Sequence, residues 1–188
     1  VLIVTAKAAP EYARTDVDFK ALAERLNAPF VHTARIADTM ETIRGLGSVD
    51  AGVSINFPGV ILSEVISLFP LGILNAHGGD LPRYRGNACQ AWAIINGEER
   101  VGLCVHKMVG GELDSGDIIA REYHPLTWDT TVTEVYGWMA SRTPQLFAQA
   151  LDLLAKVLID PGDVVVSESP AYLGAVQALE LFQPRFEV

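Results

Sequence analysis

With 188 residues, the chain suits one domain with a core of its own, and two independent domains would be cramped. Hydrophobic residues at 49% and charged residues at 20% exclude a disordered chain. The net charge of -9 repels phosphate backbones and argues against a broad nucleic-acid surface, although a local basic patch can hold one diphosphate.

Residues 1–6 are short, β-branched and apolar on both faces, which predicts a buried parallel strand. Residues 16–27 carry a helical stripe of Val17, Leu22, Ala23 and Leu26, with Thr15 or Asp16 as N-cap. Residues 29–32 predict a second strand, 40–46 a helix, and 50–57 a third strand stopped by Pro58 and Gly59. A helix over 63–69 and a fourth strand over 72–77 follow. This alternation argues for an α/β domain, with a mostly parallel central sheet flanked by helices and right-handed crossovers. After a loop over 78–86 come a helix over 88–96, strands over 101–108 and 117–126, and a long helix over 131–157. Glu134 stands at capping-box spacing from Thr131. From about residue 159 a short C-terminal extension is expected, with a strand over 164–167 and a helix over 171–182. No internal repeat or linker interrupts the pattern, so residues 1–188 read as a single domain.

Cys89 and Cys104 are too few for a disulfide framework or a metal cluster and read as buried thiols in a reducing compartment. No apolar run approaches the roughly 20 residues of a membrane helix. No signal peptide is visible, and the expected location is the cytoplasm. The chain begins without Met, which points to a longer gene product.

Asn75 and His77 stand two apart at the end of a strand, so their side chains share a face. Ligands of open α/β sheets bind at such strand ends, although an Asn and a His can equally cap the loop. Gly78 and Gly79 allow backbone or ligand to approach closely. The acidic, Gly-rich loop 110–117 is ordinarily a solvated turn, but a tight bend at Asp114 would turn its carboxylate inward. A carboxylate beside an imidazole favours imidazolium. An amide donor, a charged donor and a proton acceptor together suit attack by an amine on a formyl carbon. His32, His106 and His124 have no ligand-spaced partner, so no metal is proposed.

Residues 75–86 (Asn-Ala-His-Gly-Gly-Asp-Leu-Pro-Arg-Tyr-Arg-Gly) resemble the Asn-x-His…Leu-Pro-x-Tyr-Arg-Gly signature of the folate-dependent formyltransferases. Residues 92–98 with 101–102, and 112–119 (Glu-Leu-Asp-Ser-Gly-Asp-Ile-Ile), match two further motifs of that family in order. The resemblance covers roughly residues 50–126. It implies a Rossmann-like formyltransferase fold, N10-formyltetrahydrofolate as donor, and catalytic roles for Asn75, His77 and Asp114. It also implies a folate pocket beside Phe57, Pro58, Gly59, Val60 and Leu113. Acceptor contacts are expected at Gly79, Arg85 and Asn87, although for Arg83 and Arg85, which flank Tyr84, surface solvation or a structural ion pair is at least as good a reading. The alternative for the 56–62 loop is a turn that packs Phe57, Ile61 and Leu62 into the core, and for Ile61 and Leu62 that is the better expectation. The chain departs from the family at Gly78-Gly79-Asp80, where Pro-Ser-Leu or Gly-Ser-Leu is usual. The family's first strand and helix have no counterpart ahead of Val1, because residues 1–6 resemble its second strand.

Among acceptors, the resemblance points to a primary amine on a nucleotide-linked amino sugar, as in lipopolysaccharide O-antigen biosynthesis. The charge of -9 counts against tRNA, and the purine-pathway members lack the Arg-Gly-Asn-Ala-Cys-Gln-Ala-Trp stretch of residues 85–92. No nucleic-acid or membrane partner is expected, and a homodimer is compatible with the sequence. Alternatives are a formyltetrahydrofolate deformylase, a methionyl-tRNA formyltransferase, and a catalytically silent folate or nucleotide module.

Overall fold

The computed structural model describes residues 1–8, 14–47, 49–158, 164–166 and 185–187, with side chains as far as residue 154. β1 (Ile3–Thr5) pairs parallel with β2 (Phe30–His32), and α1 (Asp16–Arg25) connects them. Thr15 caps α1: its N–H donates to the Asp18 carboxylate at 2.8 Å, which supplies a partner that the helix start lacks. A 3-10 turn, Ile36–Thr39, runs into α2 (Met40–Gly45). β1 is only half-buried, and of the expected α1 stripe only Ala23 is buried; Val17 is 70% and Leu26 53% exposed.

The principal sheet is built from β3 (Gly52–Ile55), β4 (Ile73–His77), β5 (Arg100–Lys107) and β6 (Ile118–Pro125), in that spatial order. β3 and β4 run parallel through the short helix α3 (Ser63–Ile66). β5 and β6 are both antiparallel to their neighbours, so strand direction changes at β4, the strand that ends in Asn75 and His77. The α/β architecture is as expected, but this sheet is mixed where a mostly parallel one is expected: among these four strands, parallel pairing is confined to β3 and β4. The β1–β2 pair is not hydrogen-bonded to this sheet, and Val53 and Ile55 of the edge strand β3 are exposed.

α4 (Cys89–Ile95) and α5 (Val132–Leu158) cover one face of the sheet. There Leu74, Ala76, Val101, Leu103 and Val105 pack against Ala93, Val135, Met139 and Leu146. Glu134 N–H donates to Thr131 Oγ1 at 3.2 Å, as its capping spacing predicts. Arg142 grips Glu122 of β6 through two hydrogen bonds of 2.8 and 2.6 Å, which ties α5 to the sheet edge. A smaller cluster of Ile61, Val65 and Ile73 fills the opposite face, with Phe57 and Phe69 against it. β7 (Val164–Val166) pairs parallel with β8 (Arg185–Glu187), a strand with no counterpart in the sequence expectations. The helix expected over 171–182 lies outside the described residues. Among the described residues, no helix is long and apolar enough to cross a membrane.

Candidate active site

The β4 pleat carries Asn75 and His77 on the same face, and the loop after β5 brings Asp114 to them. Met108 N–H donates to Ile73 carbonyl oxygen and Lys107 N–H to that of Asp117, closing the loop at its base. Asp114 adopts φ +44°, a left-handed conformation that Asp tolerates better than most residues. Gly116 has φ +100° and sits where a Cβ would lie 2.0 Å from the Lys107 carbonyl oxygen, so only glycine fits. The bend turns the carboxylate inward, leaving it 13% exposed. Asp114 Oδ1 lies 3.4 Å from His77 Nδ1, and its Oδ2 accepts the Gly86 N–H at 2.8 Å. His77 Nε2–H donates to the Tyr84 carbonyl oxygen at 2.8 Å, so both ring nitrogens face protein groups. The Nδ1 contact is the looser of the two.

His106 is the site residue that the sequence reading passed over. It is 1% exposed, and its Nδ1–H donates to the Ser115 carbonyl oxygen at 3.0 Å. That leaves Nε2 free to accept from Asn75 Nδ2 at 3.2 Å and fixes the orientation of the amide. The signal for this lies in the pairing register, where Asn75 stands opposite His106 across β4 and β5. A solitary histidine in an apolar strand carries no such signal.

Burial pushes the His106 pKa below the ordinary histidine value, outweighing its backbone hydrogen bonds and Asp114, which act the other way. The unfolded chain therefore binds a proton near pH 6.5 that the folded chain refuses. Stability should fall as pH drops through that value and stop falling below the depressed folded-state value. His106→Leu removes this contribution. Melting measured between pH 5 and 7.5 should shift less in the variant than in the wild type; equal shifts would show that His106 is not neutral and buried.

Gly79 is buried, and a Cβ there would lie 2.6 Å from the Tyr84 carbonyl oxygen and 2.7 Å from His77 Nε2. Its visible part is to let these two groups meet. Arg85 and Asn87 are exposed on the same loop. Glu98 binds Arg83, at 3.0 Å through Nη1, whereas Arg85 has no hydrogen-bond or ion-pair partner among the described residues. Phe57 is half-buried against the smaller core cluster, and Gly59 packs under its ring. Pro58 is exposed, as are Val60 at 57% and Leu113 at 61%. Ile61 enters the core as expected, but Leu62 is 46% exposed, because the turn into α3 leaves it on the solvent side. Gly111 N–H donates to the Ile61 carbonyl oxygen at 3.2 Å, so the 56–62 and 109–114 loops abut. Cys89 and Cys104 are buried free thiols, as expected.

An α/β scaffold of this kind recurs in solved formyltransferases. Phosphoribosylglycinamide formyltransferase from Bacillus halodurans superposes with a TM-score of 0.67 at 16% identity, over 84% of this chain and 82% of that one. The formyltransferase PseJ from Anoxybacillus kamchatkensis, solved with UDP-4,6-dideoxy-4-formamido-L-AltNAc and tetrahydrofolate, gives 0.58 at 18%, over 81% and 76%. These likenesses establish the fold. The chain belongs to the formyl transferase family, whose model (Formyl transferase) matches residues 2–151. Methionyl-tRNA formyltransferase of Solibacter usitatus is 37% identical over 155 residues, 81% of this chain and 47% of that protein. The Citrifermentans bemidjiense enzyme of the same name is 33% identical over 139 residues, 73% and 43%. The chain thus spans about half the length of the curated relatives it matches.

Proposed function

We propose that this chain transfers a formyl group from N10-formyltetrahydrofolate to a primary amine, with Asn75, His77 and Asp114 as the reacting groups. The observation that carries the proposal is the convergence of these side chains at the end of β4, with His77 Nδ1 3.4 Å from Asp114 Oδ1. The amine nitrogen attacks the formyl carbon, the carbonyl oxygen gains charge, and the bond from carbon to N10 breaks. One proton leaves the amine and one is delivered to N10. The second N–H of Asn75 Nδ2, oriented by His106, is available to the oxyanion. Asp114, whose Oδ1 lies 3.4 Å from His77 Nδ1, accepts the amine proton, while protonated His77 shares its Nδ1–H with the same oxyanion and gives it to N10 as the bond breaks.

Val60 and Leu113, exposed on abutting loops, offer an apolar surface for the flat ring system of the folate, with Phe57, Pro58 and Gly59 shaping its edge. Leu113 Cδ2 lies 3.7 Å from the Cβ position of Gly86, which links that surface to the loop of Tyr84 and Arg85.

For the acceptor we favour a nucleotide-linked amino sugar. Arg85, which has no hydrogen-bond or ion-pair partner among the described residues, can meet its diphosphate, and a chain of net charge -9 disfavours a longer phosphate backbone. The second reading is methionyl-tRNA, the acceptor in the names of the relatives at 33% and 37% identity. Incubation with formyltetrahydrofolate and a panel of UDP- and dTDP-linked amino sugars, glycinamide ribonucleotide and methionyl-tRNA, read by acceptor mass, separates them. A formylated sugar is expected. Formylation of methionyl-tRNA alone would select the second reading, and loss of formyl to water alone would replace both with hydrolysis.

A further inference from the structure

Two side chains of β6 that formyl transfer leaves unused grip the loop behind His77. Arg121 Nη2 donates to the Leu81 carbonyl oxygen at 2.7 Å, and its Nη1 lies 3.3 Å from Asp80 Oδ1. Tyr123 Oη donates to the same Asp80 oxygen at 3.0 Å and accepts from Arg121 Nη1 at 2.9 Å. The Arg100 guanidinium stacks 3.9 Å from the centre of the Tyr123 ring and braces it from the neighbouring strand. Asp80 lies directly over Gly102 of β5, where a Cβ would approach Asp80 Cα to 2.8 Å. Acid, arginine, tyrosine and glycine form one clamp across the antiparallel pair.

The clamp reaches the reacting groups through short backbone links. Asp80 carbonyl oxygen accepts the Tyr84 N–H at 2.9 Å. Tyr84 carbonyl oxygen accepts His77 Nε2–H at 2.8 Å, and two residues on, Gly86 N–H donates to Asp114 at 2.8 Å. We propose that Arg121, supported by Tyr123, is a positioning residue: by holding Asp80 and Leu81 it places the Tyr84 carbonyl and Gly86 amide that orient His77 and Asp114. The inference rests on the assignment of His77 and Asp114 as reacting groups.

Two other anchors compete for this role. Cys104 Sγ donates to the Gly79 carbonyl oxygen at 3.3 Å, but a thiol is a weak donor. Glu98 accepts from Tyr84 Oη at 2.7 Å and pairs with Arg83, but it fixes side chains, not the carbonyl and amide that do the orienting. The charge-assisted bonds of Arg121 are the strongest that act on the 80–81 backbone and the Asp80 side chain.

The test uses the full chain, nitrogen-15 labelled, and needs no acceptor. Long-range imidazole spectra should show His77 of the wild type as a single species with Nε2 protonated. In Arg121→Met that signature should be lost, and the Gly86 amide should exchange with solvent about tenfold faster or more. Arg121→Lys, which keeps a donor for Leu81, should restore most of both. A folded Arg121→Met with an unchanged His77 spectrum and unchanged Gly86 exchange overturns the proposal. So does an equal acceleration at core amides such as Val105, because it would mark general loosening. If Arg121→Met does not fold, Tyr123→Phe is judged by the same two signals. Failure of the formyl-transfer assignment itself appears elsewhere, as undiminished turnover in His77→Asn.

Discussion

Replacing His77 by Asn should leave a folded protein whose formyl transfer is slowed by about 10²- to 10³-fold, the usual cost of one lost donor to a developing oxyanion. The imidazole spans two fixed groups, the Tyr84 carbonyl on one side and the Asp114 carboxylate on the other. An Asn side chain is too short to reach both, and it cannot carry a positive charge. Little of the fold depends on the ring itself, since the surrounding core is made by Leu74, Ala76, Val105 and the helices. Asn75→Ala should also lower the rate more than it weakens folate binding. Turnover measured with the acceptor that the panel identifies, alongside a thermal melt, separates chemistry from stability. A folded His77→Asn enzyme at wild-type speed would remove His77 from the reaction.

The second large effect is expected at Asp114→Asn, with turnover reduced by about 10²- to 10⁴-fold, the range over which a positioned proton acceptor contributes. The substitution is well controlled. Asn accepts the left-handed φ of +44° about as readily as Asp, and its amide oxygen can still take the Gly86 N–H. What disappears is the charge facing His77 at 3.4 Å and His106 at 4.0 Å. His106, already pushed down by burial, should titrate lower still, because Asp114 is among the groups that raise it. Folate affinity should move by no more than about twofold, since binding common to ground and transition states does not use that charge. Single-turnover rates across pH, with folate dissociation measured in parallel, make the comparison. A rate unchanged at every pH would return Asp114 to the role of a turn residue.

Much of this site is legible in the chain because its information is local. A side-chain period of two places Asn75 and His77 together on any strand, and the Gly residues around Asp114 announce a bend sharp enough to reverse its carboxylate. Capping is equally local: Thr131 and Glu134 need only their spacing to find each other. The α1 stripe shows the limit of such arguments. A periodic apolar face states that a helix can be buried, not that another element covers it, and Val17 and Leu26 remain exposed.

By itself, then, the sequence determined the α/β alternation, the strand that ends in Asn75 and His77, and the bend at Asp114, all of which follow from spacing and backbone conformation. Only the tertiary structure decided that His106 fixes the Asn75 amide, because that contact exists only in the antiparallel register of β4 and β5. It likewise decided that Arg121 holds the Leu81 carbonyl from forty residues away in the chain. Pairing register and loop closure are set by the packing of the whole sheet against α4 and α5, and no local segment encodes them.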